Sequence, residues 1–455
     1  MTLAQTHYRT GRDAAPVAPT SFGEGFGPAP AEVVSGAVGD QGTVRGPKDV
    51  DGRKVLQFRH GDHRARLELI DDEQRLMTLG REWDELFDAH GKTHQCFQNF
   101  AWNRLWCAYY LDQCIGDPCK LAIITARLDD ELVLICPLVE YRRGGLLHLR
   151  WMGAPVSQYG DALMSDHPAA PDLLRAGLDF VGRITEADLL DLRKVRSDSA
   201  AARVLTKLGA RALNEASAPY MSLASAADFD AYAQRYSARS RKQRRRRRRR
   251  LGELGALRFE CLEPGTEASA RAADTVAQKQ ASLRRTGAVA TALEDARFEQ
   301  FFRDFAKEPS RSATCLVSLL YCGNDVVARE IGLQCKDGYL AHVAVYDDAY
   351  ARFGPGVLQI DDVMEQCYAR GLATYDLLAP ADEYKLALAD GTVETCDYVR
   401  PLTWRGAMYA HSVLGFVRPL VRALKDRAPE PVRRVLGGLL PRLKEIVSGP
   451  ASVPG

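Results

Sequence analysis

The chain has 455 residues, too many for one ordinary hydrophobic core and suited to two or three domains. Its apolar share of 46% and charged share of 26% are those of a soluble globular protein, and a net charge of only +2 excludes a uniformly basic histone-like or ribosomal protein. The positive charge is instead concentrated in two places: ten of the twelve residues from Arg239 to Arg250 are basic, residues 405–446 carry a net +6, and the remainder sums to −14.

Residues 1–60 are rich in Gly, Pro, Ala and Val with little periodicity, which predicts a disordered tail. This N-terminus lacks the apolar core of a signal peptide, and no run of about 18 apolar residues predicts a spanning helix. A helical stretch, "TLGREWDELFDAH…FAWNRLWCAYYL", then leads into a β-run, an Asp-Asp turn and a second β-run (121–127 and 132–140). The strand "LLHLRWMG", the helix "PDLLRAGLDFVGRI" and the strand "ADLLDLRKV" complete this unit. The plan then recurs. "DARFEQFFRDFAKE" precedes a hairpin at 315–322 and 326–335 around a Gly-Asn turn, followed by "YLAHVAVY", "GVLQIDDVMEQCYARG" and "ATYDLLA". Two tandem α/β domains of about 150 residues, at 61–222 and 256–405, follow from the repeat. Between them, residues 223–255 predict a basic linker helix from about 226 to 250, with Ser225 as N-cap and Gly252 or Gly255 near its end.

The order hairpin, strand, helix, strand resembles the Gcn5-related acyltransferase fold. The stretches "ICPLVEY", "SARSRKQRRRRRRRLGELGALRFE" and "YDDAYARFGPGVLQIDDVMEQCYARGLATYDLLAPADEYK" resemble the CelD/BcsL-type acetyltransferases of polysaccharide biosynthesis, relatives of the Fem-type peptidyltransferases. The resemblance covers about 65–405. It implies acyl transfer from acetyl-CoA or another acyl-CoA to an amine or hydroxyl of an anionic sugar or glycan precursor, without a metal. Aminoacyl transfer from tRNA and a catalytically degenerate binding or scaffold subunit are the rival readings.

Within that frame, the turn Gly354, Pro355, Gly356, Val357 stands between a strand and a helix, where freed N–H groups hold a pyrophosphate in the acyltransferase fold. Pro355 removes one donor, no arginine stands at the usual spacing before either glycine, and Asp361 and Asp362 oppose an anion. An ordinary strand-to-helix turn competes with cofactor binding there. The first repeat has no such glycines, so a cofactor site belongs to the second.

Lys385, with Tyr384 beside it in a polar loop, matches a Fem-type lysine that neutralises charge on a phosphorylated substrate or transition state, and such a lysine also suits an oxyanion. Asp376 ends a strand as a candidate proton acceptor, although a turn or cap role is commoner for such a carboxylate. His342 alternates with apolar neighbours and reads as a core histidine. No nucleophile elbow or Ser-His-Asp order is present, which favours direct transfer in a ternary complex. In the basic helix, Arg241, Arg244, Arg245 and Arg248 share one face and form the predicted site for the anionic substrate, with Arg246, Arg247, Arg249 and Arg250 pointing elsewhere.

The eleven cysteines form no C-x-x-C pair or zinc spacing and read as buried thiols of a reducing cytoplasm. Residues 406–455 predict amphipathic helices, with Val413, Leu414, Val417, Leu420, Val421 and Leu424 beside Arg418, Arg422 and Lys425. Packing on the second domain is the expected role of that stripe. Peripheral contact with the inner membrane or a polysaccharide synthase complex is the alternative.

Overall fold

The computed structural model describes residues 48–50, 53–112, 119–286 and 291–417. Strands β1 (Lys48–Val50), β2 (Arg53–His60) and β3 (His63–Ile70) open the chain, so the predicted tail gives way to sheet before residue 60. Val55 and Leu56 of β2 and Leu67, Leu69 and Ile70 of β3 are buried, which a composition average over 1–60 does not foresee.

Helices α1 (Glu73–His90) and α2 (Phe100–Tyr110) follow, capped by Asp72 and Asn99. The first hairpin is bent across two sheets. Strands β4 (Cys119–Leu121) and β5 (Ile123–Leu128) are one run broken at Ala122, and β6 (Glu131–Cys136) and β7 (Leu138–Arg143) another broken at Pro137. β5 pairs with β6 while β4 pairs with β7. A proline cannot donate to a ladder, which suits Pro137 to the corner. Then come β8 (Leu146–Trp151), β9 (Leu163–Met164), α3 (Ala170–Ile184), β10 (Leu189–Arg196), α4 (Ala200–Lys207) and β11 (Arg211–Ser222).

The arginine segment does not form one helix from 226. A short α5 (Phe229–Ala233) with Asp228 as N-cap ends at Gln234, and α6 (Ala238–Gly252) starts afresh from Ser237, with Glu253 at its C-cap. The second unit follows with β12 (Leu257–Leu262), α7 (Thr266–Thr286), α8 (Thr291–Glu294), α9 (Ala296–Phe305), β13 (Thr314–Cys322), β14 (Asp325–Cys335), β15 (Gly338–Tyr346), α10 (Pro355–Ala369), β16 (Thr374–Asp376), α11 (Glu383–Leu388) and β17 (Gly391–Pro401). Beyond it, α12 (Trp404–Tyr409) runs into a π-helical stretch, Ala410–Val417, whose Leu414 packs with Leu189 and Val399. The predicted stripe beyond Val417 lies outside the described residues.

Both repeats contain a parallel strand pair joined through a helix: β8 with β10 around α3, and β15 with β16 around α10. Such a crossover is the signature of an α/β unit. The repeats are interlocked rather than merely joined. The second sheet runs β12-β13-β14-β15-β16-β11-β17-β10-β8-β7-β4, so β11 of the first repeat lies beside β16, and β17 of the second lies beside β10. β11 and β17 pair with each other at the centre. The other sheet runs β1-β2-β3-β5-β6-β9.

The core is shared in the same way. Trp102 of α2 meets Phe301 and Phe305 of α9 at ring distances of 4.7 and 5.0 Å. Among the described residues no helix is long and apolar enough to cross a membrane.

Candidate active site

β15 and β16 stay in parallel register over three pairs only, Gly338↔Thr374 to Leu340↔Asp376. There β16 ends while β15 runs on, and a cavity of about 370 Å³ lies beside the continuing strand. Its floor is Glu330 of β14, with Ala341, His342, Val343 and Ala344 of β15, Ile360 of α10 and Leu377 around it. Lys279 and Phe298 enter from α7 and α9, Asp382, Tyr384 and Lys385 from α11 and its cap, and Pro155, Gln158 and Lys194 from the first repeat. The site is therefore composite.

Glu330 is the residue that sequence reasoning missed. It is 2% exposed, and its carboxylate accepts the hydroxyls of Tyr339 (2.8 Å) and Tyr375 (3.0 Å). Burial pushes its pKa up to about 7, against the lowering pull of the two hydroxyls. A carboxyl group poised near neutrality in a cavity is suited to accept a proton. The available signal was a carboxylate between apolar residues in the middle of the strand "DVVAREIGLQC".

His342 is a core residue at the cavity wall, as expected from its apolar neighbours. Its Nε2 donates to the Val156 carbonyl at 2.7 Å, and Phe302 and Phe97 pack on the ring at 4.8 and 5.8 Å. Burial lowers its pKa to about 4, so the ring is neutral at pH 7.

Asp376 belongs to the last registered pair and lies outside the cavity lining. Its carboxylate accepts from the Tyr159 hydroxyl (3.0 Å), Arg196 Nη1 (3.1 Å) and Leu378 N (2.8 Å). Tyr159 and Arg196 belong to the first repeat, so Asp376 fastens the two repeats together. Burial raises its pKa against the pull of Arg196, but Asp376 does not line the cavity, whereas Glu330 does and joins it as a candidate proton acceptor.

Lys385 and Tyr384 sit on α11, a short helix capped by Asp382 rather than a loop. Lys385 Nζ donates to the carbonyls of Leu378 (3.0 Å) and Pro380 (3.1 Å), and burial lowers its pKa. Tyr384 is half exposed at the rim.

Gly354 is the N-cap of α10 and adopts a left-handed conformation, φ 62°, with Pro355 at the first helical position. No side chain caps this end. One turn further on, Ile360 lines the cavity. The arginine missing from the local sequence is supplied from α6: a Cβ on Gly354 would lie 3.1 Å from the Arg247 guanidinium. Arg250 and Arg352 flank the Phe353 ring next to it, at 5.8 and 4.7 Å.

The inward face of α6 differs from the predicted one. Arg244 pairs with Asp361 and stacks over Tyr236 at 4.1 Å, and Arg248 pairs with Asp362. Arg241 donates to the carbonyls of Gln234 and Tyr236, and Arg245 is exposed. Arg244 and Arg248 thus fasten α6 to α10, and Arg241 holds the turn between α5 and α6. Asp361 and Asp362, which seemed to oppose an anion, are neutralised by this pairing.

No group of side chains able to hold a metal occurs among the described residues. No curated protein matches the chain. Among solved structures, the DUF2156 domain of a putative lysylphosphatidylglycerol synthetase from Agrobacterium fabrum is similar at 10% identity, with 74% of this chain and 96% of that one covered and a TM-score of 0.47. A structure of FemX is similar at 12% identity over 72% and 97%, TM-score 0.49. A tandem GNAT protein from the clavulanic acid biosynthesis pathway is similar at 8% over 74% and 99%, TM-score 0.40. Residues 238–386, running from the start of α6 into α11, match the family model described as an acetyltransferase (GNAT) domain, so that segment is of GNAT type.

Proposed function

We propose that the protein transfers an acetyl or other acyl group from acyl-CoA to an amine or hydroxyl of a sugar or glycan precursor, in the cytoplasm. The observation that carries this reading is a cavity at the end of the β15–β16 pairing that holds a near-neutral carboxyl group and is lined by Ile360 of α10, a helix with an uncapped, glycine-led start. The GNAT match over the same segment supports it. The N–H groups and dipole of α10, together with Arg247 and Arg352, suit the pyrophosphate of the donor. The thioester then reaches into the cavity, whose volume suits an acyl group and the reacting end of an acceptor.

Glu330 accepts the proton of the attacking amine or hydroxyl as its lone pair bonds to the thioester carbon. The tetrahedral oxyanion is stabilised by the Lys385 ammonium. The carbon–sulfur bond breaks, the thiolate departs and takes up a proton, and the acyl group remains on the acceptor. Nothing in this sequence requires a covalent acyl-enzyme.

Calorimetric titration with acetyl-CoA tests the donor, with micromolar affinity expected. The exposed side of α6, with Arg245, Arg246, Arg249 and Arg250, is the observation that favours aminoacyl-tRNA as the alternative donor. Binding of tRNA without acetyl-CoA would move the reading there, and binding of neither would leave a scaffold.

A further inference from the structure

Helix α12, which follows β17, turns two large side chains outward. Trp404 and Met408 are 64% and 63% exposed, the highest values for large apolar side chains among the described residues. They stand four residues apart, so they share one face of the helix. The chain has five tryptophans, and Trp83, Trp102, Trp106 and Trp151 are all buried. A single exposed apolar residue needs no explanation, but a tryptophan beside a methionine leaves an apolar face without a partner.

That face is held in place by the opposite one. The Asp188 carboxylate accepts the Thr403 hydroxyl at 2.6 Å, and Thr403 caps the helix by accepting from Gly406 N. A Cβ on Gly406 would lie 1.9 Å from the Asp188 carbonyl oxygen, so only glycine lets the helix approach this closely. Tyr409 packs on His148 at a ring distance of 5.5 Å, and Leu414 is buried with Leu189 and Val399. The exposure of Trp404 and Met408 therefore belongs to a fixed helix, not to a loose end.

The rim of the face is cationic. Arg405 Nη2 donates to the Gly145 carbonyl at 2.6 Å and joins α12 to the turn after β7, whose last residues are Arg142 and Arg143. Arg142 and Arg405 are exposed, and among the described residues none of these three arginines is in an ion pair. The carboxylates around them are engaged: Asp188 with Thr403 and Leu147 N, Asp179 with Arg400, and Glu140 opposite Lys120 in the β4–β7 ladder. The stretch that begins here, 405–446, carries a net +6 in a chain whose total is +2.

Charge and apolarity together narrow the partner. A neutral apolar groove would take Trp404 and Met408 but leave the surplus of positive charge without a role. A soluble polyanion would use the arginines and leave the two apolar side chains in water. An anionic bilayer uses both: an indole suits the headgroup level with its apolar ring and polar N–H, and arginines meet the lipid phosphates.

We propose that the outer face of α12 docks the protein on an anionic lipid bilayer, with Trp404 and Met408 entering the headgroup region and Arg142, Arg143 and Arg405 meeting lipid phosphates. The proposal stands apart from the acyl-transfer reading, since none of these residues lines the cavity.

Trp404 is the one exposed tryptophan, so its fluorescence reports on this face directly. The full chain is mixed with phosphatidylglycerol vesicles, with phosphatidylcholine vesicles as the neutral control, each also prepared with brominated acyl chains. Phosphatidylglycerol should bind at least ten-fold more tightly than phosphatidylcholine, and its brominated form should quench tryptophan emission in wild type but not in W404F. In co-sedimentation, W404S/M408S should weaken binding at least ten-fold and R142Q/R143Q several-fold. Circular dichroism verifies that each variant is folded, as expected for exposed positions.

Absence of quenching in wild type would overturn the proposal. So would W404S/M408S that binds phosphatidylglycerol as wild type does, because the exposed arginines of α6 would then hold the vesicle by charge alone. Equal binding to both kinds of vesicle would overturn the assignment to an anionic surface. A wild-type dimer that W404S/M408S converts to a monomer would also overturn it, by giving the face to a second copy of the chain.

Discussion

Replacing Glu330 by glutamine should make the protein inactive and, at alkaline pH, more stable. The carboxyl group has a pKa near 7 in the folded protein against an ordinary value of 4.5. A raised acidic pKa means that the folded state holds its proton while the unfolded chain releases it. Stability from this group is therefore full below about pH 4.5 and is lost progressively as pH rises to about 7. The displacement corresponds to about 3 kcal/mol in total, of which roughly 2–3 kcal/mol falls between pH 5 and pH 8. Glutamine keeps an oxygen for the Tyr339 and Tyr375 hydroxyls and has no charge to bury. Urea denaturation of both proteins at pH 5 and pH 8 measures the effect. E330Q should gain on wild type by that amount between the two pH values, while thiol release from acetyl-CoA falls ~10²–10⁴-fold as expected for a lost general base. A stability difference that is the same at both pH values would show that Glu330 is charged throughout, and full activity would remove it from the mechanism.

Lys385→Ala should lower turnover ~100-fold with little change in melting temperature, and full activity would place Lys385 among ordinary surface lysines. Arg244→Gln strands the buried Asp361 carboxylate and should cost about 3 kcal/mol in urea unfolding. The exposed pair Arg245→Gln/Arg246→Gln should leave the melting temperature nearly unchanged, and equal losses in both cases would mean the arginines act only through total charge. Arg247→Gln with Arg352→Gln should weaken acetyl-CoA binding and flatten its salt dependence, as measured by titration at two ionic strengths. An unchanged salt slope would take the donor phosphates away from the start of α10.

The elements legible in the sequence were those with a local signature. The hairpins β5–β6 and β13–β14 announced themselves through alternating apolar residues around Asp129-Asp130 and Gly323-Asn324, and α3 and α10 through helical periodicity after a proline. What was lost is what long-range pairing decides. Arg244 and Asp361 stand 117 residues apart, and neither carries a local mark of its partner. Helical spacing placed four arginines on one face, but which face turns inward is set by Asp361 and Asp362, so Arg247 took the place assigned to Arg245. Glu330 was hidden because a single carboxylate in a strand reads as the solvent side of an alternating pattern. Only the hydroxyls of Tyr339 and Tyr375 show that it faces the interior.

The exchange of β11 and β17 ties the first repeat to the cavity of the second. In the first repeat, the place matching Asp376 is filled by Asp191, whose carboxylate is held by Arg150 at 3.1 Å and Arg193 at 2.7 Å. His148 on the neighbouring strand is packed against Tyr141 and against Tyr409 of α12, at ring distances of 5.0 and 5.5 Å. Helix α3 begins at Ala170 behind Ala169, with no left-handed glycine to open its first turn. Around the β8–β10 pair of the first repeat, side chains thus meet one another. Its remaining contributions go to the second: β11 pairs with β16 along the edge of the cleft, Tyr159 and Arg196 hold Asp376, and Lys194 enters the cavity. Removing the first repeat would strip β16 of a neighbour, leave Asp376 buried without its cation and take one ammonium from the cavity wall. The cavity of the second repeat is therefore walled by residues of both repeats.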